Sequence, residues 1–439
     1  MMSWMHFFGG LRIPSRPAVV ALIFLVQGSL AFSTPGDTTR LTMAGAEQRF
    51  LNNNLQLLAG AAGVEASRAA IDQAGLWTNP NIAVEQNVYN WSTRRLFDVT
   101  RSGNTDIQLQ QLFLLGGKRS HQVALAEVSA ETAGYSLADI VRSLKLELRT
   151  DLYDLYFLRQ SVTFYNESIA TLKKTVDATE RILENRSILL SDVLRLKSLL
   201  FSLETERLGL VNKVSDIEGD LRTLLRDTSS SPVHYEPLID RAWLDSIRVD
   251  TLMMQAVVEA ALRGRPDFQT AEANVRLGEA NLALQKAIAI PDVTLGGHWS
   301  RAGSYIPDYY ALTLSVDLPL FNRNQGNIRA AEKTLEQNRL LTAGVRQQVE
   351  REVETAYRKA AEEDALYRHS DRRFTEEYSR LMKGMVESYG MRNISLLQFT
   401  DFYESYRTSV IQLNQLQNDR ADALEALNYA AGTDIVKVQ

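Results

Sequence analysis

The residue types that most often carry catalysis or bind metals are scarce in this chain. Its 439 residues include five histidines and no cysteine. Without cysteine there is no thiolate nucleophile, no disulfide bond and no sulfur ligand for zinc or iron. The histidines do not lie at metal-site spacing, and no phosphate-binding glycine loop or serine nucleophile motif occurs. The sequence therefore predicts no metal site, no cofactor and no enzyme activity.

Polar residues on four short segments are better candidates for function. The segments 82–91, 105–115, 293–300 and 310–318 alternate polar and apolar residues, which predicts β-strands with one face of each kind. A polar face along paired strands could line a water-filled lumen. The predicted lumen residues are Glu85, Asn87, Asp106, Gln108, His298 and Asp317. We interpret His298 as a lining residue rather than a metal ligand.

Aromatic residues stand near the ends of the same segments. They are Tyr89, Trp91, Trp299, Tyr309 and Tyr310. Tyrosine and tryptophan concentrate where a membrane meets water, so this pattern predicts an aromatic girdle. A soluble sheet with an apolar inner face and aromatic caps would give the same pattern, and it stays open as an alternative.

Very long helices must position these strands. From about residue 119 to 187 the spacing of apolar residues is helical, and no proline interrupts it. Such a helix would extend roughly 100 Å, far more than a compact domain needs. A short break and a second helix to about residue 226 complete a hairpin. The hairpins favour strands in a membrane, because the helices need space into which to project.

The order of these elements occurs twice. Asn79-Pro80-Asn81 corresponds to Ile290-Pro291-Asp292, and Leu112-Phe113-Leu114 corresponds to Leu318-Pro319-Leu320. Helix, strand, strand and helical hairpin thus form a duplicated unit. The predicted boundaries are 1–31 for a signal peptide, 32–226 for the first repeat, 227–247 for a linker, 248–432 for the second repeat and 433–439 for a C-terminal tail.

The start of the sequence predicts export from the cytoplasm. Arg12 and Arg16 precede the apolar run from Ala18 to Val26, and small residues follow up to Ala31. This run is about half as long as the roughly 20 apolar residues of a membrane-spanning helix. The net charge of −5 gives no sign of a surface for nucleic acid.

Four strands of this length could cross a bilayer, but not alone. An open sheet edge in hydrocarbon leaves backbone groups without hydrogen bonds, at several kcal/mol for each group. Four strands are also too few to close a barrel around a channel. Copies of the chain would therefore have to pool their strands, and three copies would supply twelve.

Four motifs carry a family resemblance. They are Asn79-Pro80-Asn81, the stretch LFLLGGKR at 112–119, LPLFNR at 318–323 and ISLLQF at 394–399. In this order and spacing they resemble the TolC family of outer-membrane efflux channels, particularly its CzcC-like and CusC-like branch. The similarity extends from about residue 41 to 433.

The resemblance implies a mainly α fold with a small β portion. In such a fold, a homotrimer forms a twelve-stranded outer-membrane β-barrel that continues into a periplasmic α-helical barrel. It also implies docking to a periplasmic membrane-fusion adaptor and to an inner-membrane pump of the RND type, or an ABC transporter. The predicted location is the outer membrane, in contact with its lipid and with a large periplasmic extension.

The same resemblance implies a periplasmic gate at the tip of the hairpins. Members of the family commonly hold it closed with a tie between an aspartate on the first hairpin and an arginine after a glycine on the second. Asp192 and Arg392 match those positions, with two solvated surface charges as the alternative. Where some members carry a ring of aspartates, this chain has Leu396 and Phe399, and Asp401 is the nearest acid. We therefore predict a partly apolar constriction.

The predicted function is an outer-membrane channel of a tripartite efflux system that exports small toxic solutes, heavy-metal cations foremost. A channel for type I protein secretion is an alternative of the same class. A soluble periplasmic coiled-coil scaffold is an alternative of a different class.

Overall fold

Long helices and small sheets make up the protein. The computed structural model describes residues 38–184, 189–229, 233–302, 306–370 and 372–437. The signal peptide predicted at 1–31 lies outside these residues. Within them helices predominate, and the predicted fold class, mainly α with a small β portion, is confirmed.

The elements follow each other in two similar series. The first series is β1 (Thr38–Thr42), α1 (Met43–Asn53), α2 (Leu55–Gly75), β2 (Asn81–Gln86), β3 (Tyr89–Asn90), β4 (Arg95–Leu96), β5 (Thr105–Phe113), α3 (Lys118–Glu184) and α4 (Leu190–Leu224). The second series is β6 (His234–Leu238), α5 (Arg241–Ser246), a short 3-10 helix (Val249–Thr251), α6 (Met254–Gly264), α7 (Pro266–Ile288), β7 (Val293–Ala302), β8 (Pro307–Val316), α8 (Gln325–His369), α9 (Arg372–Gly390) and α10 (Leu396–Ala431).

Helix α3 confirms the predicted long helix. It has 67 residues and therefore extends roughly 100 Å. Its apolar seam faces the interior, where Leu148, Leu152 and Leu155 are buried. Helices α2, α4, α7 and α10 pack along it. Among the described residues, no helix combines the length and the apolar character needed to cross a membrane.

One antiparallel sheet joins the two series in the order β2-β5-β7-β8. The strands differ slightly from the predicted bounds: the first ends at Gln86 rather than residue 91, and the fourth begins at Pro307 rather than 310. The first strand stops early because the chain turns into the separate β3–β4 hairpin, where Tyr89 pairs with Leu96.

The sheet has one apolar and one polar face. Pairing places Ile82 opposite Leu109 and Trp299 opposite Tyr310 on the apolar face. Much of this face is exposed: Leu312 is 95% exposed and Ile82 is 68% exposed. The described part of the chain leaves this face largely uncovered.

The predicted linker at 227–247 is structured. It contains β6 and α5, and β6 pairs in parallel with β1. Tyr235 of β6 is fully buried and its hydroxyl donates to Asp227, which explains why the segment is ordered. The helices that precede the strands in each series are interrupted: Asn54 separates α1 from α2, and α7 begins at Pro266, directly after α6.

Two apolar clusters stabilise the helices. The main core lies where α1, α3, α6, α8 and α10 meet, and Arg149 of α3 crosses its edge. The guanidinium of Arg149 is buried and forms ion pairs with Glu47 (2.6 Å), Glu425 (2.8 Å) and Asp434 (2.8 Å). The second cluster, here called the tip core, lies between the ends of the hairpins. It consists of Tyr165, Leu172, Val176, Leu196, Leu199, Leu203, Met382, Leu396, Phe399 and Tyr403.

Candidate functional site

The polar face of the sheet brings together most of the predicted lumen residues. Glu85 pairs with Asp106 in register, and Gln108 pairs with His298. The Nε2 atom of His298 lies 3.1 Å from Oδ1 of Asp106 on the neighbouring strand. These four side chains therefore form one polar strip across three strands, as strand alternation requires. That the strip lines a lumen stays a prediction.

The other two predicted lumen residues lie outside the strands. Asn87 follows β2, where its backbone N–H donates to Asn104 and its side-chain oxygen accepts from Gln86. Asp317 is exposed and follows the last residue of β8. The polar pattern in the sequence therefore continues beyond the strands themselves. In the first strand this is because hydrogen bonds within the loop end β2 before Asn87.

The predicted girdle divides between two faces. Trp299 and Tyr310 are paired on the apolar face, consistent with their predicted position. The prediction for Tyr309 is wrong: it pairs with Ser300 on the polar face, and its ring lies 6.4 Å from that of His298. Because β8 already begins at Pro307, residues 309 and 310 point to opposite faces.

Tyr89 and Trp91 also differ from the prediction. They belong to the β3–β4 hairpin rather than to the end of a continuous first strand. Their rings pack edge to face at 4.8 Å, and Trp91 is 85% exposed. Both rings therefore project from the loop beyond the sheet.

A cleft at the tip of the hairpins contains both residues of the predicted tie. It has a volume of about 620 Å³, and Asp192 and Arg392 are among the residues that line it. Asp192 lies in the first turn of α4 and is half-buried, whereas Arg392 is exposed. Within the described residues they form no ion pair with each other. Burial raises the pKa of Tyr389, which also lines the cleft, and the nearby Asp192 carboxylate adds to this increase.

The turn before α10 holds Arg392 in an unfavourable backbone conformation. Its φ is +62°, in the left-handed region that favours glycine. The backbone N–H of Arg392 donates to Tyr389, and that of Asn393 donates to Ser388, which terminates α9. Gly390 ends α9 without taking the left-handed position. Helix α10 then begins with a capping box between Ser395 and Gln398.

Leu396 and Phe399 were predicted to form an apolar constriction, and this stays a prediction. Both side chains are buried in the tip core of their own chain, Phe399 with 1% exposure. The ring of Phe399 stacks on that of Tyr389 at 4.9 Å. Phe399 is enclosed by its own helices, whereas Leu396 also borders the tip cleft. Their apolar character serves packing between α9, α10 and the first hairpin.

The side of α10 that faces away from the tip core contains Leu397, which sequence reasoning missed, and Asp401, which it predicted for the gate. Leu397 is 65% exposed, and Asp401, also exposed, lies one helical turn further along. The duplication contains the missing signal, because Leu194 of α4 corresponds to Leu397 at the offset of 203 that relates the ends of the hairpins, and Leu194 is 54% exposed.

A group of carboxylates between α3 and α10 was also not predicted. Burial, with neighbouring carboxylates, raises the pKa of Asp151 to about 7 and that of Asp422 to about 8. One oxygen of each is buried without a hydrogen-bond partner. Among the residues the structure describes, no cluster of three or more histidine, aspartate or glutamate side chains is arranged to hold a metal ion.

Comparison with known proteins gives a family match over most of the chain. The family described as outer membrane efflux protein matches residues 47–225 and 257–433. The two matched ranges correspond to the two series of elements.

The sequence identity to individual relatives is low. The pyoverdine export outer membrane protein OpmQ of Pseudomonas putida is 25% identical over 66% of this chain and 64% of its own length. The cobalt-zinc-cadmium resistance protein CzcC of Cupriavidus metallidurans is 20% identical over 66% of each chain. The alignments thus span slightly less than two thirds of these relatives. The solved structure of CusC has a TM-score of 0.71 at 15% identity, covering 92% of this chain and 96% of that one.

Proposed function

The chain belongs to the outer membrane efflux protein family, and from this premise we propose that it is the outer-membrane channel of a tripartite exporter. The family also confirms the predicted location in the outer membrane. In this proposal the chain provides a passive conduit, and an inner-membrane partner supplies the energy.

The exposed apolar face of the sheet is the observation that carries the proposal. Leu312 and Leu314 are 95% and 68% exposed on β8, whose 10 residues are about enough to cross a bilayer when tilted. Val84, on the shorter β2, is 63% exposed on the same face. Uncovered apolar surface of this extent is unfavourable in water and favourable against lipid. The polar strip with His298 and Asp106 lies on the other face, where a channel needs water.

The free edges of the sheet support assembly as a homotrimer. Strands β2 and β8 are the edge strands of the sheet, so each has one side without a partner strand among the described residues. An unpaired edge in hydrocarbon is strongly unfavourable. Pairing of β8 with β2 of the next copy would close the sheet, and three copies would form the twelve-stranded barrel. The long hairpins would then form the helical barrel in the periplasm.

We assign small toxic solutes, with heavy-metal cations first, as the exported substrates. The name of CzcC gives cobalt, zinc and cadmium resistance, which supports metal export. The name of OpmQ instead gives pyoverdine export. The partners in this proposal are a periplasmic membrane-fusion adaptor and an RND-type pump. An ABC transporter would instead accompany type I protein secretion.

The tip cleft is the proposed gate. Asp192 and Arg392 line one cleft without pairing inside the chain, so their charges remain available for ties formed when three tips converge. Removing a charge would favour the open state by removing a contact made only when closed. Asp401 and Leu397, exposed on α10, would border the aperture.

Single-channel recording in planar bilayers tests the function. We expect a detergent-extracted trimer with a small closed-state leak, and an increased leak for Asp192→Ala and for Arg392→Ala. Arg358→Ala, which removes an exposed arginine of α8, is the matched control and should leave the leak unchanged. Extraction without detergent and absence of conductance would instead favour the soluble scaffold. Unchanged leak in both gate variants would reject the tie while leaving the channel in place.

A further inference from the structure

The loop between β2 and β5, residues 87–104 and here called the outer loop, presents an unusual surface. It lies at the end of the sheet opposite to the helices, because α2 ends just before β2 and α3 begins just after β5. Its exposed apolar side chains are Trp91, Leu96, Phe97 and Val99, with exposures of 85%, 68%, 60% and 65%. Clustered apolar side chains of this size mark interaction surfaces.

The outer loop is held in shape from inside. The buried carboxylate of Asp98 accepts hydrogen bonds from Asn90 (3.0 Å), from the Thr93 hydroxyl (2.6 Å), and from the backbone and hydroxyl of Thr100 (3.1 and 2.6 Å). The guanidinium of Arg301 on β7 donates to the carbonyl of Val99. The exposed apolar side chains are therefore presented by an ordered scaffold.

The exposed charged side chains of the outer loop are all positive. Arg94, Arg95 and Arg101 are exposed, and the loop's acidic residue, Asp98, has its carboxylate turned inward. Asp308 at the start of β8 and Glu85 near the end of β2 are exposed acids near the same end of the sheet. The surface thus combines apolar side chains with an excess of guanidinium groups, which form bidentate hydrogen bonds with phosphate.

The outer loop also continues the apolar face of the sheet. Val88 is 61% exposed and follows Ile82 and Val84, which lie on that face. If that face contacts hydrocarbon, as the proposed function requires, the outer loop lies at the level of the headgroups on the outer surface. Aromatic and basic side chains are favoured at that level.

We propose that the outer loop binds phosphorylated lipid headgroups at the outer membrane surface. The apolar side chains enter the boundary of the acyl chains, and the three arginines contact phosphate oxygens. This inference rests on the proposed function, because it needs the sheet to be in the membrane. An arginine near an anionic surface increases association by roughly fivefold.

Lipid-selective quenching in vesicles tests this contact. The chain has no cysteine, so Val99→Cys can be labelled with bimane at a single exposed site. The labelled full-length protein is reconstituted in phosphatidylcholine that contains, as a minor component, brominated phosphatidylglycerol or brominated phosphatidylcholine. We expect the anionic lipid to quench this loop label well beyond its mole fraction. The triple variant Arg94→Glu, Arg95→Glu, Arg101→Glu should lower this preference by roughly tenfold or more.

Matched variants make the outcomes distinct. Replacing the same arginines by lysine should retain most of the preference, and Arg358→Glu should retain all of it. A second label, introduced through Leu312→Cys on the apolar sheet face, should be quenched equally by both lipids. If the sheet label is quenched but the loop label is not, or if both lipids quench the loop label equally, the headgroup site is rejected while the membrane position stands. If neither label is quenched, the proposed function itself fails.

Discussion

The two ends of the molecule are built differently. At the outer loop, the carboxylate of Asp98 is buried and accepts four hydrogen bonds from its own chain. At the hairpin tip, Asp192 and Arg392 line a cleft without an ion pair between them, above a tip core of apolar side chains. The outer loop satisfies its carboxylate internally, whereas the tip leaves Asp192 and Arg392 for contacts outside the chain.

This difference suggests that the two ends meet different demands. A loop that faces the exterior benefits from a fixed shape, because ordering it on contact would cost conformational entropy. A gate must have two states close in free energy, so charges held only weakly in one chain are suitable there. The following changes would test or sharpen this contrast.

The largest effect is expected from Phe399→Ala. Truncating a buried aromatic side chain leaves a cavity, and we expect a loss of about 3–5 kcal/mol in the free energy of unfolding of the tip. Hydrogen exchange of the α9–α10 segment measures it. Leu397→Ala, which changes an exposed neighbour, is the control and should be nearly neutral. Equal losses in both variants would mean that Phe399 is not the packed residue.

Between the two ends, Asp422→Asn is expected to stabilise the protein. The pKa of Asp422 is raised from 3.8 to about 8 by burial and by the neighbouring Asp154, so the folded chain favours the neutral form. Ionising this buried carboxyl lowers the free energy of unfolding. This loss is absent below about pH 4 and grows as the pH rises towards 8. We expect a gain in the free energy of unfolding that is largest at pH 8 and disappears near pH 4, measured by thermal unfolding in detergent. Asp401→Asn, at an exposed position of α10, is the control for the loss of a carboxylate.

A smaller, local effect is expected from Asp98→Asn. Hydrogen bonds from Thr100 and Thr93 lower the pKa of Asp98 from 3.8 to about 2. Its stabilisation is therefore present above about pH 4 and is lost as the pH falls through 2. Pepsin, which is active across this range, should cleave the outer loop of the parent protein faster at pH 2 than at pH 4. It should cleave the loop of the Asp98→Asn variant rapidly at both pH values. Asp308→Asn should behave like the parent, and protection of the Asp98→Asn loop at pH 4 would contradict the scaffold.

The smallest effect is expected from Arg392→Gly. Glycine adopts the left-handed conformation at this position without strain, so the variant should be more stable than Arg392→Ala by about 1 kcal/mol. Both variants lack the charge and should leak equally. Thermal unfolding measures the stability of the turn separately from the leak. A more stable alanine variant would show that the turn changes its conformation.

Periodicity predicted most of the fold. The apolar seam of α3 and the alternation of four segments were sufficient to identify the long helices, the strands and the duplication. They were sufficient because one buried seam or one apolar strand face repeats over many residues, which makes the pattern strong.

The differences between the predicted site and the structure have a common cause. A sequence pattern distinguishes apolar from polar residues, but it does not distinguish a core from an aperture. Leu396 and Phe399 were assigned to an aperture because of their position in a family motif, whereas packing of α9 against α10 encloses them. Tyr309 lies on the polar face because β8 begins three residues earlier than predicted, so strand alternation already applies at residues 309 and 310.

The ion pairs of Arg149 determine when the chain can finish folding. This buried guanidinium needs Glu47 from near the start of the described chain and Asp434 from near its end, and 285 residues separate Arg149 from Asp434. A buried cation that lacks its carboxylates is strongly unfavourable. Until the last helix has been synthesised and exported, the middle of the molecule therefore lacks a closing contact. During that interval the nascent chain is exposed to proteases and to aggregation, so its biogenesis favours rapid delivery of the C-terminus.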